Sequence, residues 1–263
     1  MRSFLTGLQF LTRLHIVRLD NPSMEDFTNS VKFFPLIGAV LGLIYAAAAF
    51  ILFEFTAEFD LNMPVHFGSA ILLAIMLYMT GGLFCDGFMD TMDGLLSGRE
   101  RERMLEIMKD SRVGASGAMA FVVLSLWYFA ALMDLGDEDL YAMLFCLPII
   151  SRFMVVYVIT KFPYARKEGM GKAFSEVGGG AFWFALVTTL ILLLAGGTLA
   201  YFAFFAAWIF SYVFASYATK KLGGVTGDVY GAVAMMAGAT ALLTMILLGS
   251  SEAAIELSDL PLL

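Results

Sequence analysis

Apolar stretches long enough to cross a membrane alternate with short polar segments along almost the whole chain. A transmembrane helix requires about 20 mostly apolar residues, and seven segments meet this requirement. The pattern predicts an all-α fold in which residues 1–263 form one domain, a polytopic integral membrane bundle of about seven helices. The seven segments are residues 33–53, 65–83, 114–133, 141–160, 182–200, 201–219 and 229–248.

The boundary between the fifth and sixth segments is the weakest one in the pattern. Only Gly196, Gly197 and Thr198 interrupt the apolar run there. The two segments therefore form either a tight helical hairpin or one span followed by a re-entrant piece. A single span would move the C-terminus to the opposite side of the membrane.

The first 19 residues differ from the spans because Arg13 and Arg18 interrupt their apolar positions. A cleavable signal peptide needs an uninterrupted apolar core, so this segment does not fit one. The pattern instead predicts an amphipathic helix that lies on the membrane surface. The side chains expected to face the lipid are Phe4, Leu5, Leu8 and Leu11.

The charged residues separate by side of the membrane. If the N-terminus lies inside, the outer segments contain no Lys or Arg, and all 16 Lys and Arg residues fall on or near the inner side. The positive-inside rule then predicts an N-in, C-out protein of the cell (inner) membrane, with its long polar segments facing the cytoplasm. The outer segments carry ten acidic residues, which are Glu54, Glu58, Asp60, Asp134, Asp137, Glu138, Asp139, Glu252, Glu256 and Asp259.

The composition supports a membrane protein, and the net charge argues against nucleic acid as a partner. Hydrophobic residues make up 60% of the chain and charged residues 15%, against about 25% charged in soluble domains. The net charge of −7 leaves no basic face large enough to bind nucleic acid. Cys85 and Cys146 have no disulfide or metal-site spacing, so both are expected to be buried.

Three aspartates follow the second apolar segment at positions i, i+4 and i+7: Asp86, Asp90 and Asp93. At about 100° per residue, they share one helix face within an arc of about 60°. We expect this helix to continue the second span as one helical face. The carboxylates would then lie at the cytoplasmic end of that span.

Like charges packed this closely repel one another, especially beside a low-dielectric membrane. A hard divalent cation would offset the repulsion, since Mg²⁺ binds carboxylate and phosphate oxygens. The spacing predicts that Asp86, Asp90 and Asp93 bind Mg²⁺ together with a substrate phosphate. The alternative is an acidic, solvated helix face, but the bracketing glycines would let a ligand approach the backbone. These glycines are Gly82, Gly87 and Gly94.

An arginine-rich segment follows the aspartates. Guanidinium groups match phosphate oxygens, and Arg99 and Arg112 are the better candidates for this role. Asp110 is a candidate metal ligand or base. Arg101 and Arg103 are interpreted as topology-setting charges that pair with glutamates on an exposed helix.

Further candidates lie in later segments on the same side. Arg152 lies about eight residues, or about 12 Å, inside the fourth segment, and an intramembrane arginine marks a functional site by default. The alternative is a side chain that extends along the helix to the membrane surface. Arg166 and Lys172 lie in a basic, glycine-containing segment. Thr226 and Asp228 are phosphate or metal ligands, or else Asp228 is a helix N-cap.

Together, these residues predict a displacement at phosphorus. The carboxylates would hold a metal ion on the pyrophosphate, and the cationic side chains would stabilise the leaving phosphate. A carboxylate would lie near the attacking hydroxyl.

The same residues resemble the signature of the cobalamin synthases, or adenosylcobinamide-GDP ribazoletransferases. Residues 81–94 read GGLFCDGFMDTMDG, where the family reads roughly GGxHLDGLADTxDG. Phe84 and Cys85 depart from the family's usual His-Leu, so any role of that histidine is absent or replaced here. Further blocks agree in the same order over nearly the whole chain: FLTRLHIVR with FFPLIGAVLG, KDSRVGASGA, Ser151-Arg152 with YARKEGMG, and GGVTGDVYGA.

The resemblance implies an integral membrane enzyme that uses Mg²⁺. A ribose hydroxyl of α-ribazole, or of its 5′-phosphate, would attack the cobinamide-side phosphorus of adenosylcobinamide-GDP, release GMP and form adenosylcobalamin or its 5′-phosphate. A homo-oligomer, or association with other enzymes of nucleotide-loop assembly, is compatible with this activity. The predicted catalytic residues are Asp86, Asp90, Asp93 and Asp110, and the predicted substrate-binding residues are Arg99, Arg112, Ser151, Arg152, Arg166, Lys172, Thr226 and Asp228.

Two other classes of membrane protein are alternatives to this one. A CDP-alcohol phosphatidyltransferase would carry an acidic motif of the type DGxxAR…GxxxDxxxD, whereas residues 86–94 read DGFMDTMDG. An ion or metal transporter would place polar residues along a path through the bilayer, whereas intramembrane charge here is nearly limited to Arg152. Both alternatives therefore fit the sequence less well.

Overall fold

The computed structural model describes residues 1–17, 19, 21–135, 140–166 and 170–249. These parts of the chain are helical, with one isolated bridge between Tyr164 and Val225. Short 3₁₀ or π segments at Val31–Phe33, Ile51–Phe55 and Leu193–Gly196 extend the neighbouring helices. The helices are α1 (Arg2–Leu11), α2 (Met24–Ser30), α3 (Phe34–Phe50), α4 (Val65–Met79), α5 (Leu83–Leu96), α6 (Arg101–Ile107), α7 (Ala115–Asp134), α8 (Leu140–Lys161), α9 (Met170–Ser175), α10 (Gly180–Leu192), α11 (Gly197–Leu222) and α12 (Gly227–Gly249).

The described helices confirm the prediction of an apolar membrane bundle. Among the described residues, five helical stretches are long and apolar enough to cross a membrane, or six if the bent pair α4 and α5 is counted as one span. Large apolar side chains on α7, including Met119, Val122 and Leu126, are 57–64% exposed on the outside of the bundle. Lipid would cover such a surface, because exposed apolar side chains at this density are unfavourable in water. The five stretches are Met24–Phe55, Ala115–Asp134, Leu140–Lys161, Gly180–Leu222 and Gly227–Gly249.

The stretch Gly180–Leu222 is a helical hairpin, which was one of the two predicted alternatives. The rings of Phe182 and Trp208 lie 6.4 Å apart, whereas 26 residues of continuous helix would separate them by about 39 Å. The Tyr201 hydroxyl also donates to the Leu190 carbonyl at 2.7 Å. The chain reverses at Gly197, whose φ of +57° lies in the region that favours glycine.

The second predicted segment is wrong in one respect, because α5 does not continue α4. The two helices are bent by 88° at the short break between them. Gly81 and Gly82 occupy this break with φ of +63° and +77°, values that residues with a Cβ rarely adopt. The aspartates of α5 therefore lie on a helix that turns across the end of the bundle.

Helix α8 is the central element of the fold. Its residues are buried along nearly the whole length, and the Phe153 ring contacts Phe204 and Trp208 of α11. Helix α3 approaches α8 closely, because a Cβ at Gly38 would lie 2.6 Å from the Pro148 carbonyl oxygen. Aromatic packing and close backbone approach thus fix the helices that carry the site.

The N-terminal helix does not face the lipid as predicted. Leu8 and Leu11 are only 2% exposed, and the rings of Phe4 and Phe33 lie 6.0 Å apart. Phe4 and Leu5 pack against the same core. The helix is amphipathic as expected, but its apolar side packs on the bundle, because the same pattern suits either surface. Arg18 lies outside the described residues.

One end of the bundle collects the basic segments, and we call it the basic end. Tyr164, after α8, pairs with Val225, before α12. The Arg101 Nε donates to the Leu222 carbonyl at 2.7 Å, which places α6 at the end of α11. The opposite end is marked by a hydrogen bond from the Tyr141 hydroxyl to Glu54. Residues 136–139 and 250–263, with six of the predicted outer acids, lie outside the described residues.

Candidate functional site

Two glycines bring the aspartate helix α5 against the start of α12. A Cβ at Gly87 would lie 2.9 Å from the Asp228 carbonyl oxygen, and a Cβ at Gly231 would lie 3.2 Å from the Gly87 Cα. Gly87 therefore permits close packing of the two helices, a role that the sequence did not predict. Gly94 is likewise occupied by the Met108 side chain, whereas Gly82 has open space around it.

This crossing gathers aspartates from two helices. Burial and then the charges of Asp86, Asp228 and Asp93, against an opposing effect of Arg166, together raise the pKa of Asp90 to about 7. The repulsion predicted from the sequence is therefore present, although Asp228 takes part in it as well as the three residues of α5. Such a cluster favours a cation.

Asp93 has a structural task that the sequence did not reveal. Its two carboxylate oxygens accept hydrogen bonds from the backbone N–H groups of Gly114 at 2.6 Å and Gly117 at 2.8 Å. These groups lie at the start of α7, where four backbone N–H groups lack helical partners. The carboxylate thus holds the N-terminus of α7 against α5 and complements the helix dipole.

Asp228 is paired with a cation from the segment after α8. The Arg166 Nη2 and Asp228 Oδ2 atoms lie 2.8 Å apart, and both side chains are about four-fifths buried. Nε and Nη2 of Arg166 make no directed hydrogen bond in the described part of the chain, so this contact is an ion pair without aligned N–H geometry. These donors could turn to a phosphate.

Thr226 supports Asp228 and also forms the N-cap of α12. Its hydroxyl donates to Asp228 Oδ2 at 3.2 Å and accepts from the Val229 N–H at 3.3 Å. The predicted alternative in which Asp228 forms the cap is therefore wrong. Asp228 lies one position inside the helix, beside Gly227, around which there is open space.

Asp110 and Arg112 pair with each other at the protein surface, in the segment that follows α6. Asp110 accepts two side-chain hydrogen bonds from Arg112, at 3.0 and 2.7 Å, and these hold the pKa of Asp110 down to about 2. A carboxylate this acidic is a poor proton acceptor near neutral pH. Arg99 is exposed in the turn between α5 and α6. Arg103 pairs with Glu106 at the surface, as predicted.

Arg152 is buried inside the bundle and does not extend to the surface, which rules out the predicted alternative. It is 6% exposed, its Nη1 lies 3.3 Å from Ser151 Oγ, and its guanidinium stacks 4.8 Å above the Phe84 ring. Ser151 donates to the Ala234 carbonyl at 2.8 Å. Nε and Nη2 of Arg152 have no hydrogen-bond partner among the described residues.

Arg152 lines a small cavity of about 40 Å³ that is separate from the aspartates. Phe84 lines this cavity and also the larger cleft beside Asp86. The ring at the position of the family's usual histidine therefore lies between the buried cation and the acidic cluster. Most of the predicted site residues therefore lie together at the basic end, whereas Arg152 lines a separate cavity.

The larger cleft has a volume of about 240 Å³, and we call it the aromatic cleft. Asp86 and Asp228 lie in its wall, and Gly171 on α9 places the exposed Lys172 beside it. Sequence reasoning missed its lining because these positions read as ordinary packing residues. Its aromatic residues are Phe10, Phe34, Phe84, Phe174 and Tyr230.

The carboxylates do not form a complete cage for a metal ion. Within the described ranges, no group of three or more His, Cys, Asp or Glu side chains is arranged to hold one. Mg²⁺ typically uses only one or two protein carboxylates and completes its shell with water and substrate phosphates. The crowded charges around Asp90 fit that type of site, which would be completed by substrate.

Comparisons with known proteins identify one family. The model of the cobalamin-5-phosphate synthase family matches residues 3–246. Relatives named adenosylcobinamide-GDP ribazoletransferase include one from Desulfitobacterium hafniense (strain Y51), 37% identical over 88% of this chain and 91% of the relative. Those from Roseiflexus sp. (strain RS-1) and Brevibacillus brevis are 37% and 34% identical, over 92% and 94% of this chain and 88% and 98% of the relatives. No solved structure matches significantly.

Proposed function

The chain belongs to the cobalamin-5-phosphate synthase family, and from this premise we propose that it is an adenosylcobinamide-GDP ribazoletransferase. The enzyme carries out the final assembly step of cobalamin biosynthesis. Its acceptor is α-ribazole or α-ribazole 5′-phosphate, and its product is adenosylcobalamin or the corresponding 5′-phosphate. The relatives that carry this activity in their name align over nearly the whole chain.

The reaction exchanges one phosphorus–oxygen bond for another. The ribose hydroxyl oxygen of the acceptor forms a bond to the cobinamide-side phosphorus of the pyrophosphate. The bond from that phosphorus to the bridging oxygen breaks, and GMP leaves with the electron pair. The hydroxyl proton passes to a carboxylate or to water. Catalysis then depends mainly on positioning and on charge stabilisation.

The observation that carries this proposal is the meeting of Asp86, Asp90, Asp228 and Arg166 at the crossing of α5 and α12. The charges of Asp86, Asp228 and Arg166 all shift the pKa of Asp90, and Arg166 contacts Asp228 directly. Carboxylates crowded beside a partly buried arginine suit a substrate that brings phosphates and a metal ion. This arrangement brings Asp86 and Asp90 together with residues that lie at least 76 positions later in the sequence.

The residues present fit Mg²⁺, and we propose Asp86 and Asp90 as its protein ligands, with Asp228 nearby. When bound, Mg²⁺ would neutralise the pyrophosphate and stabilise charge on the leaving group. Arg166 would bind phosphate oxygens through the donors that it does not align with Asp228. Asp93 would act through α7, because both of its oxygens already accept backbone hydrogen bonds.

Three exposed basic residues and the buried Arg152 are proposed to bind the substrates without taking part in the bond exchange. Arg99, Arg112 and Lys172 would attract the anionic groups of the nucleotide, since all three are exposed at the basic end. Arg152, supported by Ser151, would bind a polar group that enters the bundle, because two of its nitrogens lack described partners.

We further propose a single domain with seven spans, N-in and C-out in the cell (inner) membrane, with the basic end facing the cytoplasm. The positive-inside rule supports this orientation. Single cysteines introduced at exposed Lys220 and Glu58, in a chain lacking Cys85 and Cys146, test it. In intact cells a membrane-impermeant maleimide should label position 58 and leave position 220 unlabelled, and the reverse pattern would refute the orientation.

The activity is tested with the purified full chain in detergent, supplied with adenosylcobinamide-GDP, α-ribazole 5′-phosphate and MgCl₂. We expect cobalamin 5′-phosphate and equimolar GMP. Asp86→Asn should lower turnover by about 100-fold or more, because one ligand oxygen of a hard cation loses its charge. Asp110→Asn is the matched control and should retain activity within a few-fold. No product from the wild-type chain, with an active relative as control, would refute the proposal.

A further inference from the structure

We propose that the aromatic cleft binds the two-ring base of the acceptor nucleoside and directs its ribose toward Asp86 and Asp228. This inference rests on the proposed function and adds the binding site of one substrate. The lining of the cleft carries it: five aromatic rings and two carboxylates surround a space of about 240 Å³. Aromatic rings stack well on flat heteroaromatic bases.

The polarity of the cleft matches the acceptor and not a lipid chain. A ribazole has an apolar fused base at one end and a ribose with the reacting hydroxyl at the other. Asp86 and Asp228 contribute carboxylates to its lining, and Phe10 and Phe174 contribute aromatic rings that lie 5.4 Å apart. An acyl chain would gain nothing from two carboxylates, since burying charges beside apolar groups is unfavourable.

The size of the cleft also distinguishes the two substrates. About 240 Å³ lies slightly below the usual volume of small-molecule pockets, which span roughly 300–1,000 Å³. A base with part of its ribose fits such a space, whereas a corrin macrocycle is several times larger. The donor must therefore approach the carboxylates from outside the cleft. Its reacting phosphorus would then meet the ribose hydroxyl of the acceptor beside these carboxylates.

A buried hydroxyl in the wall points to a ligand with a hydrogen-bond acceptor. Tyr230 is 5% exposed, and its hydroxyl has no hydrogen-bond partner among the residues that the structure describes. Buried hydroxyls are almost always paired. The benzimidazole type of base carries one ring nitrogen with a free lone pair, which can accept the Tyr230 hydrogen.

Phe174 is the best residue for a test because its ring contacts both Phe10 and Phe34, at 5.4 and 6.0 Å. Phe174→Leu should raise the KM for α-ribazole about fivefold or more, because it removes a stacking face. Tyr230→Phe should raise the same KM about threefold or more. The KM for adenosylcobinamide-GDP should change less than about twofold in both.

The matched control is Phe182→Leu. Phe182 is 6% exposed, against 4% for Phe174, and lies near the same end of the bundle but outside the cleft. It should leave both KM values unchanged. Equal rises in the KM values of both substrates in the cleft variants, or no rise in either, would overturn the proposal. If Phe174→Leu fails to fold, Tyr230→Phe still decides.

A binding measurement separates this inference from the proposed function. Equilibrium dialysis of α-ribazole against the full chain, without donor, tests the cleft even if no turnover occurs. We expect binding to wild type and to Phe182→Leu, and about fivefold weaker binding to Phe174→Leu. Ribosides of benzimidazole should compete at least about tenfold better than those of imidazole. Failure to discriminate between these bases would refute the cleft, whereas binding without product would refute only the reaction.

Discussion

Asp93→Asn should destabilise the protein, because the carboxylate holds the start of α7. Its two oxygens accept backbone hydrogen bonds from Gly114 and Gly117 at 2.6 and 2.8 Å. An asparagine keeps one acceptor oxygen, but its NH₂ group would face the other N–H. The unsatisfied donor costs about 1–3 kcal/mol, and loss of the charge at the helix N-terminus adds about 0.3–1 kcal/mol.

The assay is thermal unfolding of the full chain in one detergent at a fixed scan rate, since the transition of such a protein depends on both. At about 2–4 °C per kcal/mol for chains of this size, the apparent Tm should fall by roughly 3–15 °C. Asp93→Ala removes both acceptors and should lower the Tm further. Asp110→Asn is the control at an exposed carboxylate and should leave the Tm within about 1 °C of wild type.

The measurement also decides between two roles for Asp93. The spacing of the aspartates predicts a metal ligand, whereas the hydrogen bonds indicate an anchor for α7. An unchanged Tm together with a loss of turnover that excess MgCl₂ partly restores would refute the anchoring role.

Three further changes test the crossing and its surroundings. Gly87→Ala should lower both turnover and Tm, because its Cβ would lie 2.9 Å from the Asp228 carbonyl oxygen and overpacking costs about 1–3 kcal/mol. Arg166→Gln should raise the KM for adenosylcobinamide-GDP about tenfold or more, measured at saturating acceptor, because a charge-assisted contact to phosphate is lost. Phe84→His should lower the Tm at pH 6 relative to pH 8: beside Arg152 the folded state disfavours protonation, so the unfolded state binds more protons below its pKa of about 6.5.

Each of these changes has a control and a contradicting result. Gly178→Ala adds a Cβ in open space and should be silent, so equal effects at both glycines would contradict the packing role of Gly87. Arg103→Gln removes a surface ion pair. An equal rise in KM in this variant would show that Arg166 acts only through the overall charge and not through a specific contact to phosphate. A Tm difference between pH 6 and pH 8 that is the same in wild type and Phe84→His would contradict stacking on Arg152.

The spans could be predicted because apolar length is a property of local sequence, but their contacts could not. Lipid exposure and burial in the bundle require the same apolar pattern, so the sequence of α1 did not reveal that Leu8 and Leu11 pack inward. The turn at Gly196 and Gly197 allowed two folds. The contact between Phe182 and Trp208 decides between them, and no periodicity predicts such a contact.

For the candidate site, too, local features could be predicted from the sequence, whereas long-range contacts could not. The helical spacing correctly indicated an acidic cluster on α5, and the resemblance correctly indicated the family. Neither could show that Asp93 bonds to α7, because its donors lie 21 and 24 residues later. The acidic cluster instead gains Asp228 from α12, which joins it because Gly87 and Gly231 let two backbones meet. Long-range backbone approach is invisible in a pattern of side chains.

The bend between α4 and α5 brings these aspartates into the candidate site. If α5 continued α4, the 11 residues from Met79 to Asp90 would carry the carboxylate about 16 Å beyond the span, away from α12. The 88° turn instead lays α5 across the bundle end, where Asp86 and Asp90 meet Asp228 and Arg166. Gly82 has no atom within 4 Å of its Cβ position, so its requirement for glycine comes from φ of +77° and not from crowding. The glycine pair therefore sets the direction of α5 and with it the position of the proposed site, although neither glycine has a side chain with which to contact a substrate.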